Sequence, residues 1–157
     1  MPPDGQPNLM ASVRREVRVH RPADEVWAVV GDPATIHHWF PGIVDATVDG
    51  TSRVITTTSG RPMPEEIVTL DHVRRRFQYR LVAPMMRHHL GTIDVHDLGD
   101  RTSLVVYATD ADPDTLALVI GGATGAAPRE LRDQVEADVP TDGTPETTDT
   151  GEEGAEG

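Results

Sequence analysis

The chain has 157 residues, no cysteine and a formal net charge of −12 at pH 7. This length corresponds to one domain that can bury a hydrophobic core. The lack of cysteine excludes a disulfide framework and a cysteine-ligated metal site, and the strongly negative charge argues against nucleic acid as a partner.

The two ends of the chain differ in composition from the rest. We interpret residues 1–10 as a disordered N-terminus, because they lack the basic region and the apolar run of a secretory signal peptide and have little to bury. Residues 140–157 contain six acidic residues and no basic one, and we interpret them as a disordered acidic tail. The folded domain is therefore predicted at 11–139. No stretch is long and apolar enough to span a membrane, so we expect a cytoplasmic protein.

The first elements of the domain are predicted to be one strand and two short helices. Residues 12–20, SVRREVRVH, alternate valine with basic residues, which is typical of a strand. Pro22 suits the first position of a helix that ends at Gly31. Asp32 is a good N-cap for a second helix. The apolar residues of the two helices recur at helical spacing: Ala23, Val26, Trp27, Val30, Ile36, Trp39 and Phe40.

Six further strands follow at regular spacing. Turn sequences such as Asp49-Gly50 and Ala83-Pro84 separate runs of alternating apolar residues. Such a series predicts an antiparallel sheet. The predicted strands are 43–48, 53–58, 65–70, 77–82, 88–95 and 103–109.

After residue 110 the pattern becomes that of a long amphipathic helix. Asp112 is interpreted as its cap and Pro113 as its first residue. Glycines and Pro128 weaken the middle of this helix, so we expect a kink or a break between Gly125 and Pro128. Its apolar residues recur at intervals of three and four: Leu116, Val119, Ile120, Ala123, Ala127, Leu131 and Val135.

A resemblance to a known family follows from three of these segments. Residues 22–43, PADEVWAVVGDPATIHHWFPGI, resemble the opening of the START-like (SRPBCC) superfamily in its polyketide cyclase/dehydrase and lipid-transport branch. The runs EEIVTLD (65–71) and FQYRL (77–81) are similar to a strand pair of that family. The resemblance covers about 12–139. It implies an α+β helix-grip fold, in which a curved antiparallel seven-stranded sheet surrounds a long, usually continuous C-terminal helix.

The same resemblance implies a cavity between the sheet and the C-terminal helix. Such a cavity is expected to bind a hydrophobic small molecule, lipid-like or polyketide-like. Trp39 is also expected to close the second helix against the sheet, and Gly91 to be small so that a ligand can lie against its strand. The residues expected to contact the ligand are Trp39, Phe77, Tyr79, His89, Gly91, Ile93, Tyr107, Leu116 and Ile120.

Three classes of function remain open at this point. The first is simple ligand binding, and the second is a polyketide aromatase/cyclase or dehydratase that uses acid–base groups in the same cavity. The third, a partner-binding module, requires a large exposed apolar patch, which the sequence does not indicate. Glu65 and Glu66 alternate along a strand, so at most one faces the cavity. The candidate proton-transfer groups are His89, Tyr79, Tyr107 and Glu66.

Two loops resemble the mobile loops at the cavity mouth of the plant abscisic-acid receptors. The first contains Ser59, Gly60, Arg61 and Pro62, and is similar to the receptors' SGLP loop. The second contains Met85, Met86 and Arg87, at the place of the receptors' HRL loop. The alternative is that both are ordinary hairpin turns.

We expect neither a metal nor another cofactor. The adjacent histidine pairs, His37-His38 and His88-His89, cannot chelate as pairs, because neighbouring side chains diverge on a strand or a helix. The chain has no H-x-x-x-H spacing either. The expected partner is therefore the hydrophobic small molecule, bound by a monomer or a homodimer.

Overall fold

The structure, a computed structural model, describes residues 10–137. The two predicted disordered segments lie outside this range, apart from Met10. Seven antiparallel strands form one curved sheet in the order β1-β7-β6-β5-β4-β3-β2, which confirms the predicted fold. The strands are β1 (Ala11–Val19), β2 (Ile43–Asp49), β3 (Ser52–Thr57), β4 (Pro62–Asp71), β5 (Arg76–Leu81), β6 (His88–Gly99) and β7 (Thr102–Asp112).

One face of the sheet forms the core because side chains alternate along each strand. On β6 the odd-numbered positions from His89 to Val95 are buried, while His88 and His96 at the even-numbered positions are exposed. β6 and β7 are the longest strands, and they pair from His88 opposite Asp112 to Gly99 opposite Thr102. The centre of the core therefore lies over this pair.

Two short helices cross one end of the sheet between β1 and β2. Helix α1 (Ala23–Val30) starts one residue later than predicted, because Pro22 has an extended ψ and serves as the N-cap. The second helix is a 3₁₀ helix (Pro33–His38), and the predicted cap is confirmed: Asp32 Oδ1 accepts from the Ala34 N–H at 3.1 Å. At Gly31 the Trp27 ring lies so close that an added Cβ would be 2.6 Å from Trp27 Cε2.

The C-terminal helix is broken where the sequence indicated. Helix α2 (Asp114–Thr124) ends at the glycine-rich segment, and α3 (Ala127–Ala137) begins with Pro128 in its first turn, where no N–H is needed. The predicted start was wrong. Asp112 is the last residue of β7, and its carboxylate accepts from Arg87 Nε at 2.9 Å rather than capping a helix. No helix within 10–137 is both long and apolar enough to cross a bilayer.

Helix α2 packs on β1 and β7 through small residues. A Cβ at Gly121 would lie 3.0 Å from Val13 Cγ1, so the glycine allows the helix to approach the sheet. Ala117 and Thr124 are buried on the same side. The predicted apolar face is partly wrong, because Val119 is 70% exposed. The small residues bring α2 close to the β1 edge, whereas Val119 lies on a side of the helix that does not pack against this edge.

Candidate functional site

A cavity of about 340 Å³ lies between α2, the 3₁₀ helix and strands β2 to β5. It occupies the half of the sheet away from β1, over strands β2 to β5. Its wall is mostly apolar, and Glu65 is the one charged residue among the described residues that line it. It is lined by Ile36, Phe40, Pro41, Gly42, Ile43, Ile55, Thr57, Met63, Glu65, Tyr79, Leu81, Val119, Ile120 and Thr124.

A buried ion pair stands at this wall. Arg53 on β3 and Glu65 on β4 are register partners, and Arg53 Nε donates to Glu65 Oε2 at 2.6 Å. The two residues are 1% and 4% exposed. Arg53 Nη1 also donates to the Pro33 carbonyl at 3.1 Å, and the guanidinium lies 5.1 and 5.0 Å from the ring centroids of Phe77 and Tyr79. Arg53 therefore ties the 3₁₀ helix to the sheet and holds Glu65 in place.

Two opposing effects set the protonation of Glu65. Burial raises the pKa of its carboxyl above the ordinary value, and the charge and hydrogen bond of Arg53 oppose that rise. Among the described residues, Arg53 alone donates to this carboxylate, through Oε2. Oε1 is then left to accept a hydrogen bond from a hydroxyl or amine in the cavity, or to exchange a proton with it.

Two tyrosine hydroxyls meet beside the ion pair. Tyr79 on β5 and Tyr107 on β7 hydrogen-bond to each other across β6. Burial raises the pKa of both hydroxyls, so both are neutral at pH 7. The Tyr79 ring covers Gly91, where an added Cβ would lie 2.5 Å from Tyr79 Cε1 and Cζ. The expectation that Gly91 leaves room for a ligand was therefore wrong, because a protein side chain occupies that space.

The His89 side chain accepts a backbone N–H of β5 that a regular ladder would pair with a carbonyl of β6. The Leu81 N–H donates to His89 Nδ1 at 3.0 Å, so the neutral ring carries its proton on Nε2. Nε2 is buried and has no hydrogen-bond partner among the described residues. Burial, together with the nearby His88, lowers the pKa of His89 to about 4, while Asp110 opposes this shift. His89 is therefore neutral at pH 7.

This neutral histidine makes stability depend on pH. The ordinary pKa of 6.5 falls to about 4 on folding, so the unfolded chain binds the proton more readily. The contribution of His89 to stability is complete above pH 6.5 and is lost as pH falls towards about 4. We expect a loss of about 2 kcal/mol from this residue, measured as the difference in pH dependence of urea unfolding between the parent and His89→Gln. Identical pH profiles for the two proteins would contradict this assignment.

The cavity-facing carboxylate is Glu65, whereas Glu66 was the candidate from sequence. Glu66 lies on the outer face of β4, where its Oε2 accepts from Arg80 Nε at 2.8 Å. Glu65 faces inward, opposite Arg53. The expectation that only one of the two glutamates faces the cavity holds, but the choice of Glu66 was wrong. The two side chains do point to opposite faces of β4. Which of them points inward is set by the pairing of β4 with β3.

Of the nine residues expected to contact a ligand, Tyr79 and Ile120 line the cavity. The others are buried in the packed core, except Leu116, which is half-buried on α2. Phe77 stacks on Tyr79 with ring centroids 5.7 Å apart, and Trp39 is buried beside Phe40. The residues that do not line the cavity are Trp39, Phe77, His89, Gly91, Ile93, Tyr107 and Leu116.

The two loops with a resemblance to mobile gates differ in position. The turn containing Ser59, Gly60, Arg61 and Pro62 is adjacent to the cavity, since Thr57 and Met63 on either side line it. The loop containing Met85, Met86 and Arg87 lies at a separate outer pocket of about 280 Å³. A gating role for either loop stays a prediction.

Sequence reasoning missed Arg53 and the cavity wall formed by β2 and β3. Arg53 and Ile55 lie two residues apart in β3 and share the inward face, but an arginine in a strand is usually exposed. Its partner, Glu65, is twelve residues further on, and pairing them requires the β3–β4 register. No group of three His, Asp or Glu side chains comes together as a metal site within residues 10–137.

The sequence matches the family model for polyketide cyclase / dehydrase and lipid transport over residues 10–139, which is most of the chain. The chain belongs to this family. The resemblance proposed from the sequence is therefore confirmed. No curated protein matches the chain. Within the polyketide cyclase/dehydrase family, the interruption between α2 and α3 is a departure from the continuous helix that the resemblance implied.

Solved structures similar to this member of the polyketide cyclase/dehydrase family share its fold. A Thermobifida fusca protein is 28% identical with a TM-score of 0.69, covering 80% of this chain and 93% of that one. The Zhui aromatase/cyclase from a Streptomyces species is 21% identical with a TM-score of 0.68, covering 86% and 99%. Norcoclaurine synthase from Thalictrum flavum, solved with dopamine and hydroxybenzaldehyde, is 17% identical with a TM-score of 0.67, covering 84% and 90%.

Proposed function

We propose that this protein binds a hydrophobic small molecule in the cavity between the sheet and α2, and that Glu65 orients it. The observation that carries the proposal is an apolar cavity of about 340 Å³ in which one carboxylate among the described lining residues, that of Glu65, is buried and fixed by Arg53. The family description, which includes lipid transport, supports the same class of ligand.

The apolar wall supplies most of the binding energy in this proposal. Removing apolar surface from water is worth about 25 cal/mol per Å², so a ligand of two fused rings gains several kcal/mol without any polar contact. Residues such as Ile36, Phe40 and Ile55 form this wall from three different elements. Shape and size therefore limit which molecules enter.

The Glu65 carboxylate supplies selectivity. A ligand that carries a hydroxyl or amine can donate to Oε1, and this charge-assisted bond forms away from water. A ligand without a donor displaces the water that solvates the carboxylate and makes no hydrogen bond in its place, so its affinity is lower. The preferred ligand is therefore a flat or chain-like hydrophobic molecule with a hydrogen-bond donor.

Glu65→Gln tests this assignment with a matched pair of probes. We expect α-naphthol to bind the parent about tenfold more tightly than naphthalene, because only the former donates to Glu65. Glu65→Gln should remove most of that difference and leave naphthalene within about threefold, as measured by fluorescence titration.

Glu66→Gln is the control, because it removes a carboxylate from the neighbouring position on the outer face. It should bind both probes as the parent does. Equal affinities of the parent for the two probes would refute the role of Glu65, and no binding of either would refute the function. Circular dichroism of each variant verifies the fold.

An enzyme of the aromatase/cyclase or dehydratase type is the second candidate. It is favoured by one observation, namely that two titratable groups, Glu65 and Tyr79, line the same cavity. Two observations favour binding instead: the Tyr79 hydroxyl is engaged with Tyr107, and burial moves its pKa away from neutrality. For an enzyme, Glu65→Gln would retain binding of its substrate and lower turnover by about 10²–10⁴.

A further inference from the structure

The sheet divides at the end of β5. The β5–β6 ladder runs from Arg76 opposite Asp94 to Tyr79 opposite Gly91 and goes no further, although both strands continue. Beyond Tyr79, β5 stays with β4: Glu65 pairs with Leu81, and the Val82 N–H donates to the Pro64 carbonyl at 3.0 Å. The last residues of β5 have therefore left β6.

The start of β6 stays with β7 on the other side of the division. His89 is opposite Ala111, and the Arg87 N–H donates to the Asp112 carbonyl at 2.9 Å. The His89 imidazole fills the resulting gap and accepts the Leu81 N–H, which a regular ladder would give to a backbone carbonyl. A single side chain thus closes a gap in the sheet.

Pockets lie on both sides of this closure. Leu81 lines the internal cavity and also the outer pocket of about 280 Å³, and His89 lines the outer pocket. The outer pocket is polar at its rim, where Arg80 pairs with Glu66 and Arg87 pairs with Asp112. Two exposed apolar residues, Val82 and Met85, lie on the loop beside it.

We propose that the gap between β5 and β6 is a second opening of the cavity, into which a ligand longer than the cavity extends once His89 turns aside. The proposal rests on the function proposed above. It specifies the ligand class as an amphipathic chain with a donor group at Glu65 inside and a polar head group outside, at the rim that holds Arg80 and Arg87 with their carboxylate partners.

Few interactions hold the His89 side chain in the gap, so it can turn aside. Its ring makes one hydrogen bond, to Leu81, and its other nitrogen has no partner among the described residues. Turning aside therefore breaks that hydrogen bond and the contact with the Tyr79 ring, whose centroid lies 5.6 Å away. The turned ring gains water for Nε2. A short ligand gains no further apolar burial by displacing the ring. A long chain does, because the part that does not fit in the cavity can then be buried in the gap.

A chain-length comparison tests the proposal. The probes are ω-hydroxyoctanoic acid and ω-hydroxyhexadecanoic acid, whose affinities are measured by displacement of N-phenyl-naphthylamine fluorescence. We expect His89→Ala to bind the longer acid about tenfold more tightly than the parent, because the closure no longer has to be displaced, and to change the shorter acid by less than about threefold. Val95→Ala, on the same buried face of β6 but opposite Val105, is the matched control and should change neither by more than about threefold.

A second measurement uses the unmodified protein, so it does not depend on the folding of a variant. The Leu81 amide should exchange with deuterium at least about tenfold faster when the longer acid is bound, and should stay protected with the shorter acid. Equal gains for both acids in His89→Ala, or an unchanged Leu81 amide, would overturn the second opening. Binding of α-naphthol with no binding of the longer acid would overturn it while leaving the proposed function intact, and no binding of any probe would overturn both.

Discussion

Replacing Arg53 with methionine is expected to lower the free energy of unfolding by about 3–5 kcal/mol. The change leaves the Glu65 carboxylate buried without its cation, and it also removes the bond to the Pro33 carbonyl. Desolvation would then raise the pKa of Glu65 further, so the stability of the variant should be lowest at neutral and alkaline pH. Urea unfolding at neutral pH measures the effect.

A double variant separates the charge from the packing. Arg53→Met combined with Glu65→Leu removes both charges, and it should recover most of the loss because a buried ion pair adds little over well-packed apolar residues. A single Arg53→Met variant that is as stable as the double variant would show that Glu65 does not depend on Arg53.

Replacing Gly91 with leucine is expected to cost about 3 kcal/mol or more. The Tyr79 ring occupies the space over Gly91, so even a Cβ would lie 2.5 Å from two of its ring atoms. The leucine must push Tyr79 away from Tyr107 and from the Arg53 guanidinium, which breaks the hydroxyl pair and the cation–π contact. Thermal and urea unfolding measure the loss.

Gly122→Leu is the matched control for this steric effect. Nothing lies within 4 Å of a Cβ at Gly122 on α2, and leucine has a higher helix propensity than glycine. The control should keep or raise stability. A Gly91→Leu protein as stable as the parent would mean that Tyr79 can move without a loss of stability. The hydrogen-bonded tyrosine pair would then contribute nothing measurable to the free energy of unfolding.

The pattern of strands and helices could be predicted because it depends on local chemistry. Period-two alternation with turn sequences between the runs marked every strand of the sheet, and Asp32 marked the 3₁₀ helix through its own side chain. Pro128 and the glycines before it marked the break between α2 and α3, since proline and glycine act on the backbone wherever they stand. The family resemblance followed from the same segments.

The local sequence predicted the wrong helix start at the boundary between β7 and α2. Asp112 and Pro113 have the composition of a helix start, and from sequence no competing partner is visible for the carboxylate. In the folded protein Arg87 supplies that partner from across the hairpin, and pairing with His88 keeps Asp112 in the strand. A contact between residues that are distant in the chain outweighed a local preference.

The site itself depended on such distant contacts throughout. Alternation shows that only one of Glu65 and Glu66 faces inward, but it does not show which one, because the phase is set by the pairing with Arg53 on another strand. Likewise, an inward-facing position can be cavity or core, and Gly91 became core when the Tyr79 ring, from a neighbouring strand, covered it. Periodicity along one strand is a property of the sequence, whereas register and the filling of space between strands exist only once the strands meet.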